Sequence, residues 1–174
     1  MLVRTTVETL AMNNPAKTLD IFAQGELEVV MKRTFSAPRP LVFTAWTTPA
    51  YLKKWLLGPP GWVMTVCDVD LRVGGSYRYV WYNERKGEMG MGGVYREVQA
   101  PERLVATECF DQPWYSGEAV STAVFIEQNG QTVVTSTMRY ASAEARDGIL
   151  ASNMESGVAA SYDRLEALLV DMPV

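Results

Sequence analysis

Alternation of apolar and polar residues dominates the middle of the chain. Over residues 62–140 the side chains alternate with a period of two, which is typical of strands with one buried face. Breaks rich in glycine, asparagine and proline separate the runs at hairpin spacing, and Asn129-Gly130 is the strongest of them. The pattern predicts six antiparallel strands, at residues 62–72, 76–82, 88–98, 104–110, 118–127 and 132–140.

The residues before this region predict a further strand and two small helices. Residues 26–35 are rich in apolar and β-branched side chains, so a first strand brings the sheet to about seven. Pro38 and Pro49 each suit the first turn of a short helix, with a break near Thr47. We interpret residues 1–25 as an N-terminal extension and residues 26–172 as a single domain.

The pattern changes to a helical period after the last strand. Residues 142–170 predict one long amphipathic helix, with Ser142 as its N-cap and Glu144 in its first turn. Around Gly157 and Ser161 the apolar stripe has small side chains, so another backbone approaches closely there or a space remains open. The stripe consists of Leu150, Met154, Val158, Ser161, Leu165 and Leu168 or Leu169.

The order of these elements predicts an α+β fold. A curved antiparallel sheet would be covered by the last helix, and the elongated space between them would be filled or open. With 174 residues and 48% hydrophobic content, the chain is long enough for one domain with a sizeable core.

Charge and composition exclude several classes of function. The net charge of −4, without a long run of Lys or Arg, argues against nucleic acid and anionic membrane surfaces as partners. Because we find neither a membrane span nor a signal peptide, we expect a cytoplasmic protein. The chain has no histidine, which excludes Ser-His-Asp and Cys-His catalysis and His-ligated zinc. We expect no cofactor and no metal, and we interpret Cys67 and Cys109 as reduced core thiols.

Large aromatic and sulfur-containing side chains share strand faces that would look toward the helix. Such linings are typical of apolar ligand pockets and equally of ordinary cores, so both interpretations stay open. The small residues on the facing helix favour a pocket. The predicted cavity residues are Trp46, Trp55, Trp62, Met64, Val66, Tyr77, Tyr79, Trp81, Met89, Tyr95, Glu108, Phe110, Met154, Gly157, Val158 and Ser161.

Glu108 is the best single candidate for a polar group in this cavity. It lies between Ala106 and Phe110 on one strand face, and a carboxyl group in an apolar cleft can serve as an acid or base. No second residue stands at a diagnostic spacing from it. For Asp68, Asp70 and Arg72 we favour pairing with charges on neighbouring strands or exposure to solvent.

Several stretches closely resemble homologues of the C-terminal domain of the heat-shock-protein-90 ATPase activator. The most specific are DLRVGG at 70–75 and PERL at 101–104, and the resemblance covers about residues 26–170. This family belongs to the START-like or SRPBCC superfamily, related to the birch-pollen allergen and the polyketide cyclases. The resemblance implies a helix-grip fold with a deep apolar cavity between the sheet and the long helix.

Three functions follow as hypotheses. The first is binding of a small hydrophobic or aromatic molecule in the cavity. The second is a cyclase- or hydrolase-like enzyme that uses Glu108 with Tyr77 or Tyr79 as proton donor. The third is a chaperone-associated interaction module. The two small helices could also form a homodimer contact, which would look like core in the sequence.

Overall fold

An eight-stranded antiparallel sheet forms the body of the protein, which we describe from a computed structural model over residues 19–173. The strands follow the order β1-β2-β8-β7-β6-β5-β4-β3. Their bounds are β1 Asp20–Gln24, β2 Glu28–Phe35, β3 Val63–Val69, β4 Ser76–Asn83, β5 Gly87–Gln99, β6 Arg103–Phe110, β7 Ala119–Gln128 and β8 Gln131–Arg139. The helices are α1 Arg39–Thr47, α2 Pro49–Trp55, α3 Ala143–Ala151 and α4 Met154–Asp171. This is the predicted helix-grip fold, with eight strands where about seven were expected.

The additional strand, β1, lies at one edge of the sheet. It pairs with β2 from Asp20 opposite Lys32 to Gln24 opposite Glu28, and Gly25 turns the chain with a positive φ of 58°. Residues 20–24 fall in the segment that we interpreted as an extension. The run is too short to show a clear alternation, which is why the sequence pattern missed it. The remainder of that segment, residues 1–18, lies outside the described residues.

The C-terminal helix is two helices, so the prediction of one continuous helix over residues 142–170 was wrong. The chain leaves helical geometry at Ser152, where ψ is 160°, and helix α4 starts after Asn153. The Ser152 hydroxyl donates to the carbonyl of Ile149 over 2.6 Å. Serine and asparagine favour such local hydrogen bonds over helix continuation, which explains the break. The predicted N-cap is confirmed, because the Ser142 side chain accepts from the amide of Ala145.

An aromatic core joins the small helices to the sheet and to α4. The Trp46 ring centroid lies 4.9 Å from that of Trp55 and 5.6 Å from that of Tyr162. Phe35 of β2 and Phe125 of β7 complete the group through edge contacts with these rings. The sequence interpretation left Tyr162 out of the helix stripe, yet this side chain is buried at the centre of the core. One end of the space beneath α4 is therefore solid.

The loop after α2 packs against the small residues of α4. The amide of Gly58 donates to the Ser161 hydroxyl over 2.8 Å, and the Arg164 guanidinium donates to the Gly58 carbonyl over 2.7 Å. A side chain at Gly157 would come within 3.2 Å of the Pro59 ring. The loop after α2 thus fixes the position of α4 relative to the small helices.

Replacing Ser161 with alanine is expected to weaken this attachment. Because the Gly58 amide loses its acceptor, the cost is about 1 kcal/mol and appears as faster hydrogen exchange at that amide. The measurement is amide exchange by NMR. Ser156→Ala is the control, since the Ser156 hydroxyl contacts only its own helix start at Asn153. Equal exchange at Gly58 in both variants would contradict the role of Ser161.

Candidate functional site

A cavity of about 400 Å³ lies between the concave face of the sheet and helix α4. Its walls are mostly apolar, and they come from the small helices, the loop after α2, six strands and both C-terminal helices. Fourteen of the predicted cavity residues line it. They are Trp46 and Trp55 of the small helices; Trp62, just before β3; Tyr77, Tyr79 and Trp81 of β4; Met89 and Tyr95 of β5; Glu108 and Phe110 of β6; and Met154, Gly157, Val158 and Ser161 of α4.

Met64 and Val66 do not line the cavity. A β-bulge between them places Met64 opposite Trp81 and Val66 opposite Val80. The extra residue reverses the alternation, so Val66 shares the outer face with Val80 while Tyr79 points inward beside Cys67. Met64 is buried in the core next to the cavity wall. A bulge is invisible in the sequence pattern, which assumes strict alternation.

The opening of the cavity lies near the connection between β6 and β7. Trp114 is 64% exposed and also lines the cavity, so its ring is at the boundary with solvent. This indole stacks on Phe110, with ring centroids 5.3 Å apart and an interplanar angle of 18°. The pair forms an aromatic rim.

Three tyrosines of β4 and β5 form the floor. The Tyr77 hydroxyl donates to the Thr107 carbonyl over 2.7 Å, and the hydroxyls of Tyr79 and Tyr95 are hydrogen-bonded to each other. Burial raises the pKa of Tyr77 and of Tyr79 well above the usual value, and it raises the pKa of Tyr95 to about 12. These phenols stay protonated and engaged with the protein at neutral pH.

Glu108 points into the cavity from the centre of β6. The inward face of this strand consists of Leu104, Ala106, Glu108 and Phe110, so the carboxyl group stands in an apolar row. Burial raises the pKa of Glu108 from 4.5 to about 7. Over residues 19–173 no hydrogen bond or ion pair to a protein group reaches the carboxylate. An arginine pair or full exposure would have excluded a site at Glu108, and neither is present.

Tyr115 and Tyr140 lie beside Glu108 and were missing from the sequence prediction. Their ring centroids are 5.1 Å apart in an edge-to-face arrangement, and both residues line the cavity. Glu108 is the strongest charge acting on each of them and on Tyr77, and with burial it raises the pKa of all three. The Tyr115 hydroxyl is buried without a hydrogen-bond partner. The alternation of inward and outward side chains along β8 continues to Tyr140 and could have indicated it. Tyr115 belongs to a loop in which apolar and polar residues show no periodic pattern.

The other polar candidates are on the surface, as expected. Asp70 pairs with Arg72 over 2.9 Å, and Arg78 forms two hydrogen bonds with Asp111 on the outer face of the sheet. A side chain at Gly90 would collide with that pair, so the glycine provides clearance for it.

The two cysteines differ from each other. Cys67 is a buried free thiol whose pKa burial raises to about 11, as expected for a core residue. Cys109 is exposed, because it follows the inward-facing Glu108 and so points outward. The interpretation of Cys109 as a core thiol was wrong.

Substituting glutamine for Glu108 is expected to change how stability depends on pH. The pKa of Glu108 is about 7 in the folded protein, whereas its ordinary value is 4.5. The native protein therefore loses stability as the pH rises from 4.5 to about 7. The loss is at most about 3.5 kcal/mol, at about 1.4 kcal/mol per pKa unit, and the variant avoids it.

Urea unfolding at pH 5 and pH 8.5 measures this effect. Glu108→Gln should exceed the wild type in stability by clearly more at pH 8.5 than at pH 5, which lies near the lower end of this window. Glu84→Gln, in the exposed turn after β4, removes the same charge and should show no such difference. If the difference in free energy of unfolding between the wild type and Glu108→Gln is the same at both pH values, the raised pKa of Glu108 is contradicted.

Residues 19–173 contain no group of three or more acidic, cysteine or histidine side chains arranged to hold a metal ion. No helix over the same range is long and apolar enough to cross a membrane.

Comparison with solved structures identifies close relatives of this fold. A Rhodobacter sphaeroides protein has a TM-score of 0.83 and 29% identity, covering 88% of this chain and 99% of its own. A Chromobacterium violaceum protein has a TM-score of 0.72 and 28% identity, covering 82% and 96%. An AHSA1-like protein from Aeromonas hydrophila, at 19% identity and a TM-score of 0.65, shares the fold over 85% of this chain and 98% of its own.

The family assignment comes from the sequence. The curated proteins include no match to this chain. A family model described as "Activator of Hsp90 ATPase homolog 1-like protein" matches residues 36–170, from the end of β2 to the last turn of α4. That range holds nearly the whole cavity wall. The chain therefore belongs to the Activator of Hsp90 ATPase homolog 1-like protein family, within the START-like superfamily.

Proposed function

We propose that this protein binds a small apolar or aromatic molecule between the sheet and α4. The observation that carries the proposal is the cavity itself, whose volume of about 400 Å³ falls in the range of small-molecule sites. Its lining combines several aromatic rings with a few polar groups, which is the usual composition of such sites.

The energetics of the lining also favour an occupant. Protein interiors are normally close-packed, and side chains beside an empty apolar space lose dispersion contacts on that side. Trp81 and Met91 are buried in the fold and yet face the cavity. A ligand with a flat apolar body would restore those contacts.

Acid–base catalysis is less well supported than binding. The enzyme hypothesis needs Tyr77 or Tyr79 as proton donor to a substrate, but both hydroxyls are hydrogen-bonded to protein groups. Their raised pKa also makes them poor acids. The chaperone hypothesis rests on the family alone, while ligand binding rests on the geometry.

The proposal is tested by titration with 4-(naphthalen-2-yl)butan-1-ol. Its ring matches the aromatic lining, and its binding should quench fluorescence of the cavity tryptophans Trp46, Trp55, Trp62, Trp81 and Trp114. We expect saturable one-to-one quenching and a higher unfolding temperature, because a ligand that binds only the folded state stabilises it. Quenching that never saturates, with no thermal shift from this probe or from a screen of apolar compounds, would overturn the proposal.

A further inference from the structure

One end of the cavity differs in chemistry from the rest. Glu108 lies there with Tyr77, Tyr115 and Tyr140 near it, whereas the remaining wall is mostly aromatic and aliphatic, with the hydroxyls of Ser121 and Ser136 among its few polar groups. The three tyrosines come from separate segments: β4, the β6–β7 connection and the residue after β8. The fold thus assembles a carboxyl group and three phenol rings at one place.

No basic side chain neutralises Glu108 within residues 19–173. The arginines on neighbouring strands form ion pairs elsewhere: Arg78 with Asp111, Arg96 with Glu118, and Arg139 with Glu28. A carboxylate in an apolar site without a cation is unfavourable. Either a proton or a cationic ligand has to neutralise it.

The tyrosines around Glu108 suit a cation in particular. Aromatic faces carry negative charge density, and rings that face a cation attract it, as in the aromatic cages that bind ammonium ligands. Tyr115 and Tyr140 meet edge to face, so their ring planes lie at right angles and form two sides of a cage.

The side chains of the wall at Trp81 and Met89 determine which chemical groups suit the other end of the ligand. Trp81 and Met89 pair with each other on β4 and β5 and line the cavity, and Met89 lies two residues along β5 from Met91, which pairs with Phe110 of β6. These side chains offer apolar and polarisable contacts to a flat or flexible hydrocarbon body. The complete cavity therefore fits a molecule that is cationic at one end and apolar at the other.

We propose that the ligand is an amphipathic amine, whose ammonium group pairs with Glu108 while its apolar body lies between β4, β5 and α4. The inference rests on the proposed function and names the chemical class of the ligand. Carboxylate-bearing lipids, which would place two negative charges together, are excluded by it.

The titratable groups that face Glu108 give the binding a pH dependence. Tyr77 on β4, Tyr115 on the β6–β7 connection and Tyr140 after β8 hold their protons near neutral pH, because burial raises their pKa. Cys109, the neighbour on β6, points outward. Since the pKa of Glu108 is about 7, amine binding should strengthen as pH rises from 5.5 to 8.5.

Three matched probes test the inference by isothermal titration calorimetry on the full chain. They are 4-(naphthalen-2-yl)butan-1-amine, the corresponding butan-1-ol and the corresponding butanoic acid, which share one apolar body. At pH 8.5 the amine should bind about ten- to a hundredfold more tightly than the alcohol, the range expected for a charged hydrogen bond. The acid should bind most weakly. In Glu108→Gln the advantage of the amine over the alcohol should disappear, while Glu84→Gln should retain it.

The outcomes separate this inference from the proposed function. If the alcohol binds and the amine gains nothing, or keeps its gain in Glu108→Gln, then the amine inference is wrong and the cavity still binds ligands. If none of the three probes binds, then the proposed function fails as well. Alcohol affinity that is equal in Glu108→Gln and the wild type shows that the variant cavity is intact. If Glu108→Gln lowers the affinity for the alcohol as much as the affinity for the amine, a Glu108→Asp variant decides the question. Restored preference for the amine over the alcohol in Glu108→Asp would support the pairing, and no restored preference would contradict it.

Discussion

Replacing Trp55 with alanine is expected to lower the free energy of unfolding by about 3–5 kcal/mol, the usual cost of removing a buried large aromatic side chain. Trp55 is 1% exposed and is among the largest fully buried side chains. Its ring contacts Trp46 and Tyr162, and its indole N–H donates to the Ala45 carbonyl over 3.0 Å. The substitution removes these contacts where α1, α2 and α4 meet.

Denaturant unfolding of the ligand-free protein measures this loss. Trp114→Ala is the matched control, because Trp114 is 64% exposed and a surface substitution usually changes stability by less than about 0.5 kcal/mol. Equal losses in the two variants would show that Trp55 is not the junction of the three helices.

Replacing Ala106 with phenylalanine is expected to abolish most ligand binding and leave the fold intact. Ala106 points into the cavity from β6, one inward position before Glu108. The new ring would occupy the space meant for the ligand. Affinity for the naphthalene alcohol should fall about ten- to a hundredfold, because displacing or overpacking the ring costs about 1–3 kcal/mol.

The control is the same substitution on the other face of the same strand. Val105 pairs with Thr122 and does not line the cavity, so Val105→Phe should bind the alcohol as the wild type does. For Ala106→Phe the unfolding midpoint should stay close to the wild-type value, since the ring enters open space. Unchanged alcohol affinity in Ala106→Phe would place the binding site elsewhere.

Most of the sheet could be predicted from alternation. The predicted run at residues 76–82 corresponds to β4 at Ser76–Asn83, and residues 104–110 correspond to β6 at Arg103–Phe110. Alternation succeeds because each of these strands buries one face against the cavity and the helices. It fails for β1, an exposed edge strand of five residues.

The helix break illustrates a different limit. The apolar stripe continues in phase from Leu150 to Met154, so periodicity alone predicts one helix. Ser152 interrupts it by donating its hydroxyl to the Ile149 carbonyl, a signal that is weak in any single sequence. The break permits α3 to lean on β2 while α4 crosses the cavity.

The site was predictable where strands determine the direction of side chains. Tyr77, Tyr79 and Trp81 follow one another on the inward face of β4, and Glu108 follows Ala106 on β6. The tyrosines that lie near Glu108 could not be predicted in the same way. Tyr115 is brought to it by a hairpin connection, and only tertiary structure decides such contacts.

The central claim is that the space beneath α4 is an open ligand site, and a crystal structure of the protein soaked with 4-(naphthalen-2-yl)butan-1-ol tests it most directly. We predict density for the naphthalene ring between α4 and the sheet, in contact with Trp81 and Met91. A solid interior with the probe absent or bound only on the surface would contradict the claim.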